Sequence, residues 1–180
     1  LTSTFMDLTI APLGCQIGNQ VLDPGISVGF SGTVLGTPVD VRAKIGTNPF
    51  SLDASLAIGA FKAGGVQVDE TKLQIKVSPT ESFVAFSGGI TIGTTRVAVS
   101  GNVGYNITDG PWVDLTGTIA NLSIVPGFLE IRSASVTVNV RPKNGFANIQ
   151  AKGDFTFLGD VTQVDFAMTM SNFKLQSLKA

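Results

Sequence analysis

The chain has 180 residues, 12 Lys and Arg against 13 Asp and Glu, no histidine and one cysteine. A formal net charge of −1 without a basic stripe argues against nucleic-acid binding. Without histidine, His-dependent nucleophile triads and the usual zinc sites are excluded, and a single cysteine excludes an internal disulfide. No apolar run approaches the roughly 20 residues of a transmembrane helix.

The composition indicates one all-β domain covering residues 1–180. Hydrophobic residues make up 43% of the chain, charged residues only 14%, and there are 21 glycines. A chain of this length can bury a sizeable core. We expect the apolar surplus to be buried in a large core, a lined cavity or a subunit interface.

Alternating apolar and polar residues predict a series of strands in the first half of the chain. These strands cover residues 6–10, 26–34, 38–46, 50–59 and 66–77. In the last of them the alternation changes parity near Asp69, Glu70 and Thr71, which predicts a β-bulge. Asp69 and Glu70 are therefore interpreted as bulge residues at a solvent edge and not as a catalytic acid pair. Cys15 is interpreted as a small buried hydrophobic residue.

The second half continues the same pattern. Predicted strands cover residues 82–92, 97–105, 112–125, 129–140, 146–158 and 161–170, and residues 171–180 form a further strand or a short helix. A two-residue turn at Gly93-Thr94 would place Gly88 opposite Val99 and Phe86 opposite Gly101. The fold class predicted is all-β, with about eleven or twelve mostly antiparallel, strongly coiled strands joined by hairpins. These could form a curved sheet, a sandwich or a barrel, with little or no helix.

Small residues recur within the apolar positions of these strands. They are Gly32, Ala43, Ala54, Gly88, Gly101, Gly117 and Gly153. One interpretation is that they relieve crowding where a sheet coils. The other is that they form a furrow for a long apolar ligand. On the second interpretation the candidate ligand-binding residues are Phe30, Gly32, Ala43, Ala54, Phe86, Gly88, Gly101, Gly117, Gly153 and Phe155.

The remaining polar residues give little support for catalysis. Most candidate acids occupy the polar positions of amphipathic strands, as expected for a solvated face; they are Asp40, Asp53, Asp114, Asp154 and Asp165. Asp109 and Asp114 match no dedicated calcium loop. Trp112 and Tyr105 could form a sugar-stacking surface or could serve packing alone. We expect no enzyme activity, no cofactor and no metal.

Two functions remain in competition. The favoured one is a non-enzymatic carrier that binds a lipid or another apolar molecule on or within the apolar side of the sheet. The alternative is a structural or adhesive module that forms homo-oligomers or joins an assembly through strand edges or the apolar face. A third, an outer-membrane barrel, lacks the aromatic girdles. The long amphipathic strands are similar in general terms to those of lipid-handling groove proteins, and no motif identifies a family. Because the chain begins at Leu1 rather than Met, we expect a processed or excised product. Of the possible locations, a secreted, cell-surface or periplasmic one is favoured.

Overall fold

The computed structural model describes residues 2–179, with side chains from residue 5 onward. Strands account for 79% of the chain and helix for 2%, which confirms the all-β class. The strands are β1 (Thr2–Ala11), β2 (Cys15–Ile17), β3 (Gln20–Leu22), β4 (Gly25–Val34), β5 (Thr37–Thr47), β6 (Phe50–Ile58), β7 (Phe61–Ala63), β8 (Val66–Val68), β9 (Thr71–Val77), β10 (Glu81–Ile92), β11 (Thr95–Asn106), β12 (Gly110–Val125), β13 (Leu129–Arg141), β14 (Phe146–Phe157), β15 (Asp160–Ser171) and β16 (Lys174–Lys179). A single 3-10 turn, Pro142–Asn144, is the helical element of the described residues.

Nearly all strands belong to one antiparallel sheet that follows the order of the chain. The main path is β1-β4-β5-β6-β9-β10-β11-β12-β13-β14-β15-β16, and β2 pairs only with β3. The short strand β7 continues the line of β6 after a break at Gly59-Ala60, and β8 precedes β9 along the same edge of β10. The sheet therefore has twelve strand positions across its width, as the alternation predicts.

The predicted β-bulge near Asp69 lies where the sequence places it. Val68 pairs with Ile90 and Lys72 with Ser87, so one extra residue lies between them on the β8–β9 side. The Asp69 backbone N–H donates to the Gly89 carbonyl across this bulge at 2.9 Å. Further along the sheet, the register between β12 and β13 shifts between Ser123 and Val125, and Asn121 in β12 has a positive φ of 55°. Such bulges keep the apolar side chains on one side of the sheet where the alternation breaks.

The β10–β11 hairpin has the predicted register. Gly88 lies opposite Val99, and Phe86 lies opposite Gly101. Gly93 begins the turn with a φ of 60°, a left-handed conformation that glycine adopts without steric cost.

Over the residues that the structure describes, the sheet is open and has no second layer over it, so the first of the three expected ways of burying the apolar surplus, a large core, does not form. Among the described residues, only Ala11 and Trp112 are buried hydrophobic side chains. The accessible surface is 11475 Å², whereas a compact monomer of this mass exposes roughly 8,300 Å². The apolar surplus is therefore on the surface, and the single open sheet is the form that the chain takes among those predicted.

The interpretation of Cys15 as a buried residue is wrong. Cys15 is exposed. It lies in the small β2–β3 hairpin, whose residues pair only with each other, and no neighbouring layer covers that hairpin.

Candidate functional site

One side of the sheet carries an unbroken band of apolar side chains, and we call this side the apolar face. Residues directly opposite each other in antiparallel strands project from the same side. Following these partners gives a central row of Met6, Phe30, Val41, Leu56, Leu73, Phe86, Gly101, Leu115, Val138, Ile149, Met168 and Leu178. At about 4.8 Å between strands the row is about 50 Å long.

A second row, directly beside the central row, is equally continuous. It consists of Leu8, Val28, Ala43, Ala54, Ile75, Val84, Val103, Val113, Val140, Ala147, Met170 and Leu175. Many side chains of both rows remain open to solvent, with exposed fractions of 75% for Met6 in the central row and 41% and 42% for Val28 and Val103 in the second row. No described part of the chain packs over them as a second layer.

All ten predicted ligand-binding residues lie on the apolar face, but the small ones do not form one straight furrow. Gly101 is in the central row, and Ala43 and Ala54 are neighbours in the second row. Gly32, Gly88 and Gly117 lie in a row on the other side of the central row, opposite Val39 or Val99. Gly153 lies one row further, opposite Ala134 and Val164. The small positions are therefore spread over four rows.

The space above these glycines differs from one to the next. A Cβ on Gly101 would lie 2.5 Å from Leu115 Cδ2 and 2.6 Å from Phe86 Cζ, so both side chains fill that space. Phe155 similarly covers Gly153. At Gly117, nothing lies within 4 Å of the position that a Cβ would take. Here the face has a shallow apolar depression of about 230 Å³ that is flanked by Val99 and Val136.

A further apolar concavity is one that the strand alternation does not reveal. It has a volume of about 710 Å³ and lies between the tip of the β4–β5 hairpin and β7. Its apolar lining comes from Val34, Leu35, Val39, Ile58, Phe61 and Ala63. We call this concavity the tip cleft. Its only sequence signals are the two glycine turns beside it, Leu35-Gly36 and Gly64-Gly65.

The opposite side of the sheet, which we call the polar face, is organised by hydrogen bonds and ion pairs. Arg141 donates two hydrogen bonds to Asp114, Nη1 to Oδ1 at 2.9 Å and Nη2 to Oδ2 at 2.8 Å. Asn139 donates a third at 2.8 Å. The Arg141 hydrogen bond lowers the pKa of Asp114, against the opposing effect of desolvation, and Asn139 lowers it further. Likewise, a hydrogen bond from Lys179 lowers the pKa of Asp165.

Trp112 is packed on the polar face and is only 8% exposed. Its ring lies over Gly104, 6.3 Å from the Phe83 ring and 5.7 Å from the Arg141 guanidinium carbon. Tyr105 follows Gly104 in β11 and projects from the apolar face, opposite Pro111. Because the two aromatic side chains point to opposite sides of the sheet, they do not form a joint stacking surface.

Most of the candidate acids are paired with neighbouring polar groups, and Asp40 and Asp53 line one pocket together with Asp7 and Arg42. Asp114 is held by Arg141, Asp154 accepts a hydrogen bond from Ser133, and Asp40 pairs with Arg42. Asp69 accepts from Arg96 Nη2 at 2.8 Å in the bulge. Asp109 Oδ2 accepts a hydrogen bond from Asn106. Across residues 2–179 the structure contains no cluster of three or more His, Cys, Asp or Glu side chains that could hold a metal ion.

No known protein family, curated protein or solved structure matches this chain. Among the described residues, none of the helical segments has the length and hydrophobicity to cross a membrane.

Proposed function

We propose that this protein binds acyl chains or similarly apolar molecules on the apolar face of its sheet and carries them without catalysing a reaction. The observation that supports the proposal is the unbroken apolar band, to which every one of the twelve strand positions contributes and which no other layer of residues 2–179 covers. The sequence alternation gives the same side of the sheet its apolar character from β1 to β16.

The energetics of such a surface favour a covering ligand. Burial of apolar area contributes about 25 cal/mol per Å², or about 0.8 kcal/mol for a fully buried methylene. A chain lying on an open face buries about half of its surface, so each methylene would contribute about 0.4 kcal/mol. A long acyl chain would therefore gain several kcal/mol from contact alone, without a specific hydrogen bond.

The polar face accounts for the one-sided character of this binding. Its ion pairs and hydrogen bonds, such as Arg141 with Asp114 and Lys179 with Asp165, remain partly exposed. Charged groups of this kind are costly to cover with an apolar molecule. The apolar part of a ligand is therefore expected on the apolar face alone.

Binding of cis-parinaric acid, a fluorescent fatty acid, tests the proposal. Val136 lies on the apolar face beside the depression at Gly117, and Ser135 projects from the polar face of the same strand. Val136→Lys places a charge in the proposed contact surface and should weaken binding at least about threefold. The matched variant Ser135→Lys should bind as the unchanged protein does. Equal effects of both variants, or no binding by the unchanged protein, would count against the proposal.

A second candidate function is self-association as a structural module. The exposed area supports this candidate, because it exceeds that of a compact monomer by about 3,000 Å². A standard interface uses only about 800 Å² from each partner, so the excess is large enough to form one. The outer strands β1 and β16 also each pair on one side only. Sedimentation equilibrium over a wide concentration range separates the candidates, since a strict monomer argues against this one.

A further inference from the structure

The tip cleft arises because two neighbouring parts of the sheet separate. The pairing of β5 with β6 ends at Val39 and Ile58, and the Gly59 backbone N–H then donates to the Pro38 carbonyl at 2.7 Å. Beyond Ala60 the chain continues as β7, which pairs with β8 and with none of the described strands on its other side. The tip of the β4–β5 hairpin and the free side of β7 thus become the two walls of the cleft.

The walls of the cleft are apolar, and the hairpin tip contributes an unusual residue to them. Leu35 is 98% exposed and has a φ of 51°, a left-handed conformation in which Asn and Gly are the usual residues. A leucine in this position is unfavourable both for its backbone and for its contact with water. Contact with an apolar ligand would offset the second of these costs.

Lys62 is the one charged residue among those that line the cleft. Eight ion pairs connect other cations and acids of the described residues, and Lys62 takes part in none of them. Ala63 and Val66 flank the two-residue turn Gly64-Gly65, so Lys62 is in the non-hydrogen-bonded position of the β7–β8 hairpin. Its backbone N–H therefore points away from β8, toward the free side of β7. An ammonium group and a backbone donor are thus both available for an anionic group.

We infer that the tip cleft binds one acyl chain that ends in an anionic group, with the chain between the hairpin tip and β7 and the anion at Lys62. This inference rests on the proposed function, because it locates the strongest site for such a ligand. The cleft volume of about 710 Å³ lies within the roughly 300–1,000 Å³ of small-molecule sites. The charge of Lys62 is complementary to a carboxylate and would make no comparable contact with a neutral alcohol.

Photo-crosslinking tests the location of the site. Palmitic acid with a diazirine near its methyl end is added at a one-to-one ratio, and modified peptides are mapped by mass spectrometry. Labels are expected in residues 34–39 and 58–63. Ala60→Trp, at an exposed position between strands, should remove these labels. The control Ala134→Trp, on the apolar face away from the cleft, should retain them.

Two further variant pairs test the contacts. Leu35→Asn should weaken palmitate binding, whereas Leu158→Asn, at the corresponding position of another Leu-Gly turn, should not. Lys62→Gln should weaken palmitate binding about two- to fivefold and leave the binding of hexadecanol unchanged. Labels elsewhere on the sheet, with palmitate still bound, would overturn this inference and leave the proposed function standing. No palmitate binding at all would remove the proposed function as well.

Discussion

At the scale of single residues, the glycines of the sheet differ in how much space a side chain would have, as Gly104 and Gly117 show. A Cβ on Gly104 would lie 2.6 Å from the Ser82 carbonyl oxygen and 2.7 Å from both Phe83 Cβ and Trp112 Cζ2. Because one of these contacts is to backbone, Gly104→Ala should destabilise the protein by about 1–3 kcal/mol. The Cβ of Gly117→Ala would lie in open space. This substitution should stabilise the protein by about 0.4–1 kcal/mol, because alanine lowers the conformational entropy of the unfolded chain.

Urea unfolding of both glycine variants checks this prediction. The two substitutions are chemically identical and lie in neighbouring strands, so each is the control for the other. Equal effects on the unfolding midpoint would contradict the packing of Trp112 over Gly104.

A second residue-scale prediction concerns pH. The bidentate hydrogen bond from Arg141 lowers the pKa of Asp114, so the folded state favours the ionised carboxyl. Its contribution to stability is fully present above the ordinary aspartate pKa, about 3.9, and is lost as the pH falls through the lowered folded pKa. The stability difference between the unchanged protein and Asp114→Asn should therefore be constant near neutral pH and shrink below about pH 4. Urea unfolding at several pH values measures it, and a difference unchanged at pH 3 would contradict the pairing.

At the scale of elements, the hairpin turns carry a recurring strain. Leu35 and Leu158 have φ values of 51°, each followed by a glycine with positive φ. Asn tolerates this conformation better than Leu, so Leu158→Asn should stabilise the protein by about 0.5–1 kcal/mol. Thermal unfolding measures the effect. A lower melting temperature would show that Leu158 makes a stabilising contact that outweighs its backbone conformation.

Most of the elements could be predicted from the sequence because each signal is local. Alternation defines the strands, and the two-residue turn at Gly93 defines the register that places Phe86 beside Gly101. The bulge at Asp69 is visible as a change of parity. The tip cleft could not be predicted in this way. It depends on how the β4–β5 hairpin and β7 lie relative to each other, and these segments are distant in sequence.

At the scale of the whole molecule, the sequence predicts one apolar side of the sheet but not what covers it. The surplus of apolar residues predicted a core, a lined cavity or a subunit interface, and the structure leaves these residues on an open face with only Ala11 and Trp112 buried among the hydrophobic residues described. Periodicity describes which residues share a side, and it contains no information on whether a second layer, a ligand or another copy packs there. The sequence also did not predict that the small residues are spread over four rows. The row of each residue depends on the register between paired strands, which periodicity within one strand does not determine.

Native mass spectrometry of protein purified without detergent tests the central claim, that the exposed face is covered by bound acyl chains. We expect the protein to retain lipid or fatty-acid adducts that are released on denaturation. Bare protein of 18.7 kDa, or higher oligomers free of any adduct, would contradict it.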